Sequence, residues 1–499
     1  MSSVLGRSSV VVPTIGRPSL DVLLDALATA PGPRPAELVV VDDRTAGAPL
    51  RPERPGLPPV RVVRSGGGGP ARARNLGWRT ARTEWIAFLD DDVVPDPDWY
   101  QRLEQDLGGL PADVAGSQGR VRVPLPRDRR PTDWERGTAG LATSSWITAD
   151  LSYRRSALAA VGGFDERFPR AFREDSDLAL RVMGTGARLV RGERRTTHPV
   201  RPADRWISVR VQAGNADDVL MRRLHGPGWR ERADAPLGRR PQHTAVTAAA
   251  LAAIGLAVTR RPRAAALAAA AWLAGTAEFA WARIVSGPRT RAEVTTMSLT
   301  SAAIPPLATW HWARGAVRHR GVRPWRGLPD LVLFDRDGTL VHDVPYNGDP
   351  EQVRPVDGAR EALDRLRARG VRVGVVSNQS GVARGIVTRD QVDACMDRLA
   401  ELLGPFDTVQ VCPHGPGDGC ACRKPAPGMV KAACAELDVD PARCVVIGDI
   451  GADVEAAAAA GAVGMMVPTP VTRNEEIAAT DWVLSSLTEA VDVVLDGHW

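Results

Sequence analysis

The sequence predicts an α/β protein in which an alanine-rich helical segment joins two doubly wound domains. Two observations support this prediction. Short apolar runs alternate with helical patterns near both ends of the chain, and acidic residues directly follow several of these runs. Because open α/β sheets bind ligands at the carboxyl ends of their strands, these acidic residues are candidate site residues. We divide the chain into residues 1–205, 206–327 and 328–499.

The composition is that of a large globular protein with more than one domain. The chain has 499 residues, of which 44% are hydrophobic, and a net charge of +5. Only two of its 64 basic residues, Lys424 and Lys431, are lysines, so arginine is favoured along the whole chain. Because these arginines are spread out and lack an aromatic platform, we expect no nucleic-acid partner.

The first domain alternates strands with helices. Apolar strand patterns cover residues 9–14, 37–43, 60–64 and 84–89, and helical patterns cover 19–30 and 71–81. The second strand ends at Asp42 and Asp43, and the fourth leads into Asp90, Asp91 and Asp92. Three consecutive aspartates repel one another, so either a divalent cation neutralises them or they form a solvated loop.

These motifs resemble those of the family 2 glycosyltransferases, inverting enzymes with the GT-A fold. The motifs that carry the resemblance lie, in the family's order, at residues 11–14, 39–43, 73–75, 88–92, 152–155, 161–168 and 174–178. The resemblance covers nearly all of residues 8–200. It implies transfer of a sugar from a nucleotide sugar to an unknown acceptor, although a degenerate nucleotide-sugar binding module stays open as an alternative.

The same resemblance implies three groups of site residues. Those expected around the nucleotide and its diphosphate are Pro13, Asp42, Asp43, Arg74 and Asn75. Those expected to hold Mn²⁺ or Mg²⁺ are Asp90 and Asp92, joined by His198 unless that histidine is only a surface residue. The base that deprotonates the acceptor hydroxyl is expected to be Asp175, with Glu174 as the second candidate.

The middle region, 206–327, contains no recognisable catalytic motif. Two stretches, 244–258 and 264–282, are rich in alanine and apolar. The first is too short for an ordinary membrane span, and the second is interrupted by Glu278. If these stretches formed a membrane hairpin, the basic turn at 260–263 would lie on the opposite side of the membrane from both catalytic domains. With both domains in the cytoplasm, this would go against the tendency of basic residues to lie on the cytoplasmic side. Two interpretations stay open: a soluble or surface-attached bundle, and a membrane hairpin. Membrane contact would involve 244–325, including a basic linker at 314–326.

The last domain again places chemical groups after strand patterns. Strand patterns cover residues 331–334, 371–376 and 444–448, and helical patterns cover 358–369, 389–403 and 428–437. The groups that follow are Asp335, Asp337, Ser377, Lys424, Asp449 and Asp453. This set fits phosphoryl transfer, in which a carboxylate attacks phosphorus, Mg²⁺ spreads the developing charge, and a hydroxyl and a lysine bind the phosphate oxygens.

A cysteine-rich loop precedes Lys424. Its Cys-x-His and Cys-x-Cys pairs, Cys412, His414, Cys420 and Cys422, provide three sulfurs and one nitrogen, a closed tetrahedral set for structural Zn²⁺. A loop rich in glycine and proline has little else to order it, so metal binding would supply that order. The other cysteines, at 395, 434 and 444, fall in helix or strand patterns and are expected to be core residues.

Together these residues resemble the haloacid dehalogenase (HAD) superfamily over residues 328–495. Three motifs narrow this to the D-glycero-D-manno-heptose 1,7-bisphosphate phosphatases and related histidinol-phosphatase domains: the zinc loop, Ser-Asn-Gln-Ser-Gly at 377–381 and Cys-Arg-Lys-Pro at 422–425. The resemblance implies that Asp335 is the nucleophile and Asp337 the general acid/base. It implies that Ser377 and Lys424 bind phosphate and that Asn378 and Arg423 contact the substrate. The Mg²⁺ ligands it implies are Asp335, the Asp337 carbonyl and Asp449, with Asp453 either a further ligand or a residue that supports the ligands.

We therefore expect a bifunctional enzyme that combines a nucleotide-sugar glycosyltransferase with a heptose bisphosphate phosphatase. Histidinol phosphate or another small phosphomonoester is the alternative phosphatase substrate. The first residues of the chain lack the apolar stretch of a signal peptide, so we expect a cytoplasmic location, with membrane association as an open question.

Overall fold

The computed structural model describes residues 3–499 and divides the chain at Pro324/Trp325 into two compact units. Each unit has its own sheet and its own hydrophobic core. The alanine-rich middle region belongs by its contacts to the first unit.

The first unit is built on an eight-stranded mixed sheet. Its strands are β1 (Ser8–Thr14), β2 (Glu37–Asp42), β3 (Val60–Arg64), β4 (Trp85–Leu89), β5 (Val94–Pro95), β6 (Val114–Arg122), β7 (Asp150–Arg154) and β8 (Arg188–Thr197). Their spatial order is β3-β2-β1-β4-β7-β6-β8-β5. The predicted parallel pairing holds for β1–β4, whereas β7 runs antiparallel to both β4 and β6.

The earlier helices of the first unit pack on the sheet, and the last three pack on one another. They are α1 (Ser19–Thr29), α2 (Pro70–Thr80), α3 (Trp99–Leu107), α4 (Asp133–Ala139), α5 (Arg155–Ala160), α6 (Glu174–Gly184), α7 (Ile207–Arg210), α8 (Asn215–His225), α9 (Trp229–Arg232), α10 (Arg240–Val258), α11 (Pro262–Ser286) and α12 (Arg291–Arg318). In α1 the buried leucines stand at positions 20, 23, 24 and 27, the spacing of a helix with one apolar face.

The strand order places a ligand crevice at the carboxyl end of β1. The chain leaves β1 for β2 on one side and later adds β4 on the other, so the loops after β1 and β4 diverge. This arrangement brings Thr14, Asp42 and Asp90 to one edge of the sheet, because they stand at or just beyond the ends of β1, β2 and β4.

The last three helices of the first unit form a hairpin, α10 and α11, that packs on the long helix α12. Helices α10 and α11 are long and apolar enough to cross a membrane by length and composition. The sequence patterns missed α12, because it contains Pro305 and Pro306, and proline usually ends a helix. The first five residues of the predicted linker at 314–326 are helical and complete α12.

The second unit is a five-stranded parallel sheet in the order β11-β10-β9-β12-β13. Its strands are β9 (Leu331–Phe334), β10 (Arg372–Asn378), β11 (Thr408–Cys412), β12 (Cys444–Gly448) and β13 (Val463–Met466). Its helices are α13 (Ala359–Ala368), α14 (Arg389–Leu403), α15 (Gly428–Glu436), α16 (Gly451–Ala460), α17 (Asn474–Ala479) and α18 (Leu487–Leu495).

Hydrophobic clusters cover both faces of this second sheet, as a doubly wound fold requires. The central strands β9 and β12 are buried along their whole length, which explains their uninterrupted apolar sequences. Both were predicted with the bounds that the structure shows. The predicted α/β fold with two doubly wound domains is confirmed.

Candidate active sites

Three carboxylates meet at the carboxyl edge of the second sheet. Asp335 follows β9, Asp449 follows β12, and Asp453 stands in the first turn of α16. Because β9 and β12 pair with Phe334 opposite Ile447, the residues that follow them lie side by side. Their ligand oxygens lie within 4.8 Å of one another, so the three side chains can hold one metal ion.

Lys424 supplies the positive charge that holds this cluster together. Its Nζ donates a hydrogen bond to Asp335 and lies 2.6 Å from Asp453 Oδ1. It also donates to the main-chain oxygen of Val376 at 2.9 Å. Burial lowers the pKa of this ammonium group, but the charges of Asp335 and Asp453 outweigh burial and raise it. Lys424 therefore stays charged at physiological pH.

One lysine does not balance three carboxylates. Burial, followed by the charge of Asp453, raises the pKa of Asp449 to about 7. A carboxylate in this position is stable in its ionised form when a cation shares the site. Hard oxygen ligands of this kind suit Mg²⁺, so the donor set fits the metal that the sequence predicts.

Two glycines let the backbone approach these carboxylates. A Cβ on Gly338 would lie 2.4 Å from Asp449 Oδ2, and the φ angle of +78° at Gly338 also disfavours other residues. A Cβ on Gly448 would lie 2.3 Å from the carboxyl group of Asp453. The glycine after Asp337 is therefore needed for the metal cluster as well as for the turn.

Gln379, which was not predicted as a site residue, connects Asp337 with Ser377. Its Nε2 donates to Asp337 Oδ2 at 2.9 Å and to the buried Ser377 Oγ at 2.8 Å. The Asp337 carboxylate also accepts hydrogen bonds from Arg336 at 2.8 Å. Asp337 is thus held in place beside the cluster. From the motif at 377–381, Ser377 and Asn378 were predicted as site residues, but Gln379 was not.

Two predicted substrate contacts lie next to Lys424 in the chain or in space. Asn378 accepts a hydrogen bond from the Lys424 amide at 3.1 Å and donates to the Lys424 carbonyl at 3.2 Å. Arg423 donates to the His414 carbonyl at 3.3 Å. Asn378 therefore positions the lysine main chain, and the predicted substrate contacts of Asn378 and Arg423 stay predictions.

The four predicted zinc ligands are brought together at the end of β11. Cys412 Sγ lies 3.6 Å from His414 Nδ1 and 3.8 Å from Cys420 Sγ. Cys422 Sγ lies 3.2 Å from His414 Nδ1 and 3.3 Å from Cys412 Sγ. A tetrahedral Zn²⁺ ion would place its sulfur and nitrogen ligands roughly 3.5–3.8 Å apart, so the group fits this ion.

Among the residues that the structure describes, a cavity of about 200 Å³ marks the site of the first unit. It is lined by Pro13, Thr14, Ile15, Arg17, Asp43, Pro70, Ala73, Arg74, Asp90, Asp91, Asp92, Ala171 and Arg201. The cavity lies at the edge where β1 and β4 end, as the strand order predicts. A second cavity, of about 510 Å³, shares Arg201 with it.

Arginines hold the three consecutive aspartates in this cavity. Asp90 accepts a hydrogen bond from Arg74 at 2.7 Å, and Asp91 accepts one from Arg17 at 3.0 Å. Asp92 pairs with Arg201 and lies 3.5 Å from the imidazole of His198. His198 is therefore a buried neighbour of Asp92, whereas sequence reasoning missed Arg201, which stands on the loop after β8.

Arg74 joins the aspartates to Glu174, the neighbour of the predicted base Asp175. Its guanidinium donates to Asp90 and to Glu174, each at 2.7 Å, and all but 2% of the Arg74 side chain is buried. Burial raises the pKa values of both Glu174 and Asp175. A raised pKa suits a group that accepts a proton. Asp175 is the more accessible of the two, and the Glu174 carboxylate is already paired with Arg74.

The remaining predicted residues of the first site differ in what they contact. Asp43 accepts hydrogen bonds from Ser65 and from two amides of the glycine loop before α2, and it also lines the cavity. Asp42 is buried against Arg44 and Arg64. Asn75 is buried and bonds to the main chain of Phe164 through both its amide nitrogen and its oxygen. Asp42 and Asn75 are therefore buried next to the site and do not line its cavity.

The close approach at Gly338 gives a testable prediction. We expect Mg²⁺ to raise the Tm of the wild type but not that of Gly338→Ala, because this substitution places a Cβ against Asp449. Thermal unfolding with and without Mg²⁺ measures this difference.

Gly370 offers a matched control, because its φ angle of +73° is similar and an added Cβ would meet nothing within 4 Å. Gly370→Ala is expected to lose only about 1–2 kcal/mol of stability from its backbone conformation and to keep the response to Mg²⁺. An equal response of the two variants would contradict the steric argument.

Both units match known families. Residues 9–161 match glycosyl transferase family 2, and residues 346–461 match the haloacid dehalogenase-like hydrolases. A D-glycero-beta-D-manno-heptose-1,7-bisphosphate 7-phosphatase from Bordetella bronchiseptica is 38% identical over 144 residues, which cover 28% of this chain and 80% of that protein. The phosphatase of the same name from Yersinia pestis is 38% identical over 172 residues, covering 32% and 91%.

A solved structure is also similar to the second unit. The crystal structure of D,D-heptose 1.7-bisphosphate phosphatase from B. bronchiseptica, complexed with magnesium and phosphate, is 32% identical and covers 33% of this chain and 98% of that one, with a TM-score of 0.31. The sequence relatives are similar enough over enough of their length to establish the family. The chain is therefore an enzyme that joins a glycosyl transferase family 2 domain to a haloacid dehalogenase-like hydrolase domain, and its second domain belongs to the same family as these heptose bisphosphate phosphatases.

Proposed function

We propose that the second domain removes the 7-phosphate of D-glycero-D-manno-heptose 1,7-bisphosphate. The observation that carries the phosphatase chemistry is Lys424, held between Asp335 and Asp453 beside a third carboxylate, Asp449. The substrate assignment is supported by relatives that bear this name and by the zinc-loop sequence around Lys424.

The described side chains account for the chemical steps. The Asp335 carboxylate attacks phosphorus, and the bond between phosphorus and the sugar oxygen breaks to leave an aspartyl phosphate. Asp337 gives a proton to the departing sugar oxygen and then takes one from the water that hydrolyses the aspartyl phosphate. Gln379 and Arg336 orient Asp337 for both proton transfers. Ser377 and Lys424 bind the phosphate oxygens.

Two metals complete this proposal. Mg²⁺, held by Asp335, Asp449, Asp453 and the Asp337 carbonyl, would neutralise charge that develops on the phosphate oxygens. Zn²⁺, held by the four side chains at the end of β11, would order the loop that leads to Lys424. The first metal serves the reaction and the second serves the structure.

We propose that the first domain transfers a sugar from a nucleotide sugar. Asp90, Asp92 and His198 would hold Mn²⁺ or Mg²⁺ at the donor diphosphate, after their contacts to Arg74 and Arg201 rearrange. Asp175 would take the proton of the acceptor hydroxyl as that oxygen attacks the anomeric carbon. The donor and the acceptor are open to experiment. Both domains would act in the cytoplasm, where nucleotide sugars are made.

The two lysines of the chain give a matched test of the phosphatase. Lys424→Met leaves Asp335 and Asp453 without their buried cation, so we expect phosphate release to fall by about 10²–10³-fold. Lys431 is exposed on α15, and Lys431→Met is expected to keep wild-type activity.

Phosphate release is measured on heptose bisphosphate, histidinol phosphate and common sugar phosphates, with Asp335→Asn as the inactive reference. Heptose bisphosphate is expected to be the best substrate. Faster turnover of histidinol phosphate would replace the heptose assignment, and equal, weak turnover of all substrates would reject it.

Loss of one zinc ligand should separate metal binding from packing. Cys420→Ser removes a ligand at the surface of the loop, so we expect a loss of bound zinc, measured by elemental analysis, and a lower Tm of the second domain. Cys434→Ser changes a buried cysteine of the same domain that lies outside the metal group, and it should keep one zinc per chain. Full zinc retention by Cys420→Ser would contradict the assignment.

Transferase chemistry is tested by nucleotide release from a panel of nucleotide sugars with Mn²⁺ or Mg²⁺. Asp90→Asn and Asp175→Asn are each expected to lower the rate by about 10²-fold or more, because one removes a metal ligand and the other the base. Asp98→Asn, at a half-exposed position before α3 that does not line the cavity, is the control. If hydrolysis of the active nucleotide sugar survives both site substitutions, the first domain is not a transferase of this type.

A further inference from the structure

Helices α10 and α11 expose large apolar side chains wherever they do not pack on each other or on α12. Leu251 is 65% exposed, Ile254 63%, Val258 77% and Leu267 75%. Within the described structure, no residue of α10 is buried, and Arg283 is the single buried residue of α11. A soluble protein rarely leaves so large a contiguous apolar surface in water. Something of low polarity must cover it.

The shape of this surface favours a lipid bilayer over another protein chain. A surface helix that docks on protein has one apolar face and one polar face, but neither α10 nor α11 has a separate polar face on the sides that α12 leaves exposed. A second copy bound to one side would leave the opposite side exposed. Lipid would cover all the apolar side chains of the hairpin that α12 leaves exposed.

In each helix the stretch between the flanking arginines is nearly as long as a bilayer's hydrocarbon core is thick. Residues 241–259, between Arg240 and Arg260, are 19 residues without a charged side chain. Residues 264–282, between Arg263 and Arg283, are also 19 residues and contain one charged side chain, Glu278. At 1.5 Å per residue each stretch spans about 28 Å, close to the roughly 30 Å of a hydrocarbon core.

Glu278 does not prevent insertion, because Arg239 neutralises it. The two side chains form an ion pair across the base of the hairpin, and charges within a membrane segment are usually paired in this way. Arg283 is buried at the same end of α11. It donates to Asp133 Oδ2 at 2.7 Å and to Thr300 Oγ1 at 2.8 Å, which joins the base of the hairpin to α4 and α12.

The arginines give the hairpin an orientation. Nine arginines lie in the 20 residues on either side of its base, 221–240 and 283–302, against three at its tip, Arg260, Arg261 and Arg263. The positive-inside tendency compares the two sides of the membrane, so the base belongs on the cytoplasmic side despite the basic tip. Trp281, which is 68% exposed near the base, stands at the level where tryptophan is enriched in membrane proteins.

We propose that α10 and α11 cross a lipid bilayer twice and anchor the transferase domain to its cytoplasmic face, with Arg260–Arg263 at the opposite face. The exposed side chains Leu299 and Trp310 of α12 then lie near the headgroups. The cavity of about 510 Å³ is lined by Pro288 and Thr290 from the base of the hairpin and by Arg201 from the catalytic cavity. The anchored base therefore brings this cavity next to the membrane.

The anchor is tested first by fractionation of the full-length chain from a bacterial host. Wild type is expected to stay in the membrane pellet after high salt and after alkaline carbonate, and to dissolve in detergent. Leu251→Arg/Ile254→Arg/Leu267→Arg should leave the pellet, whereas Val471→Arg, at a 78% exposed position of the second unit, should stay in it. Release of wild type by salt or carbonate would overturn the proposal.

Crossing is tested by labelling single introduced cysteines with a membrane-impermeant maleimide on intact spheroplasts. Thr259→Cys, at the tip, is expected to react before lysis. Leu237→Cys, 88% exposed at the base, should react only after lysis, as should the six native cysteines, which all lie in the second unit. This readout needs no variant that disrupts the hairpin. Protection of both positions until lysis would show that the hairpin does not cross, and would overturn the two-pass anchor.

Discussion

Both active sites depend on buried cations that hold carboxylates together at the ends of parallel strands. Several carboxylates meet at each site, where like charges in a poorly solvated place would repel one another. In the second domain Lys424 lies between Asp335 and Asp453, and in the first domain Arg74 lies between Asp90 and Glu174. A compact ammonium suits a site that must also take phosphate, and a forked guanidinium suits two carboxylates on separate elements.

The metal loop of the second domain is part of the same arrangement. Cys412 ends β11, and Cys422 stands two residues before Lys424, so a metal bound by both closes the chain segment that carries the lysine. Asn378, at the end of the neighbouring strand β10, then fixes the Lys424 main chain from the other side. A metal bound by these ligands would therefore act on the reaction at a distance, by limiting where the Lys424 ammonium group can lie.

Sequence patterns predicted the parts of the structure that local chemistry determines. Fully apolar strands such as β9 and β12 were recognised with their bounds, and Lys424 was noticeable because arginine is the usual basic residue of this chain. Partners that come from distant loops were missed, such as Arg201 on Asp92. The antiparallel direction of β7 was also missed, because a strand's apolar pattern does not contain the direction of its neighbours.

The hairpin shows that the positive-inside comparison depends on counting the arginines on both sides of the two helices. The three arginines at the tip argue against a membrane crossing if they are considered alone, because basic residues favour the cytoplasmic side. The fold identifies the base of the hairpin through the bonds of Arg283 to Asp133 and Thr300, and so defines which arginines belong to the other side. Counted from that base, the charge difference reverses. The exposure of both helices, which no sequence pattern reports, is the observation that supports the proposed bilayer anchor.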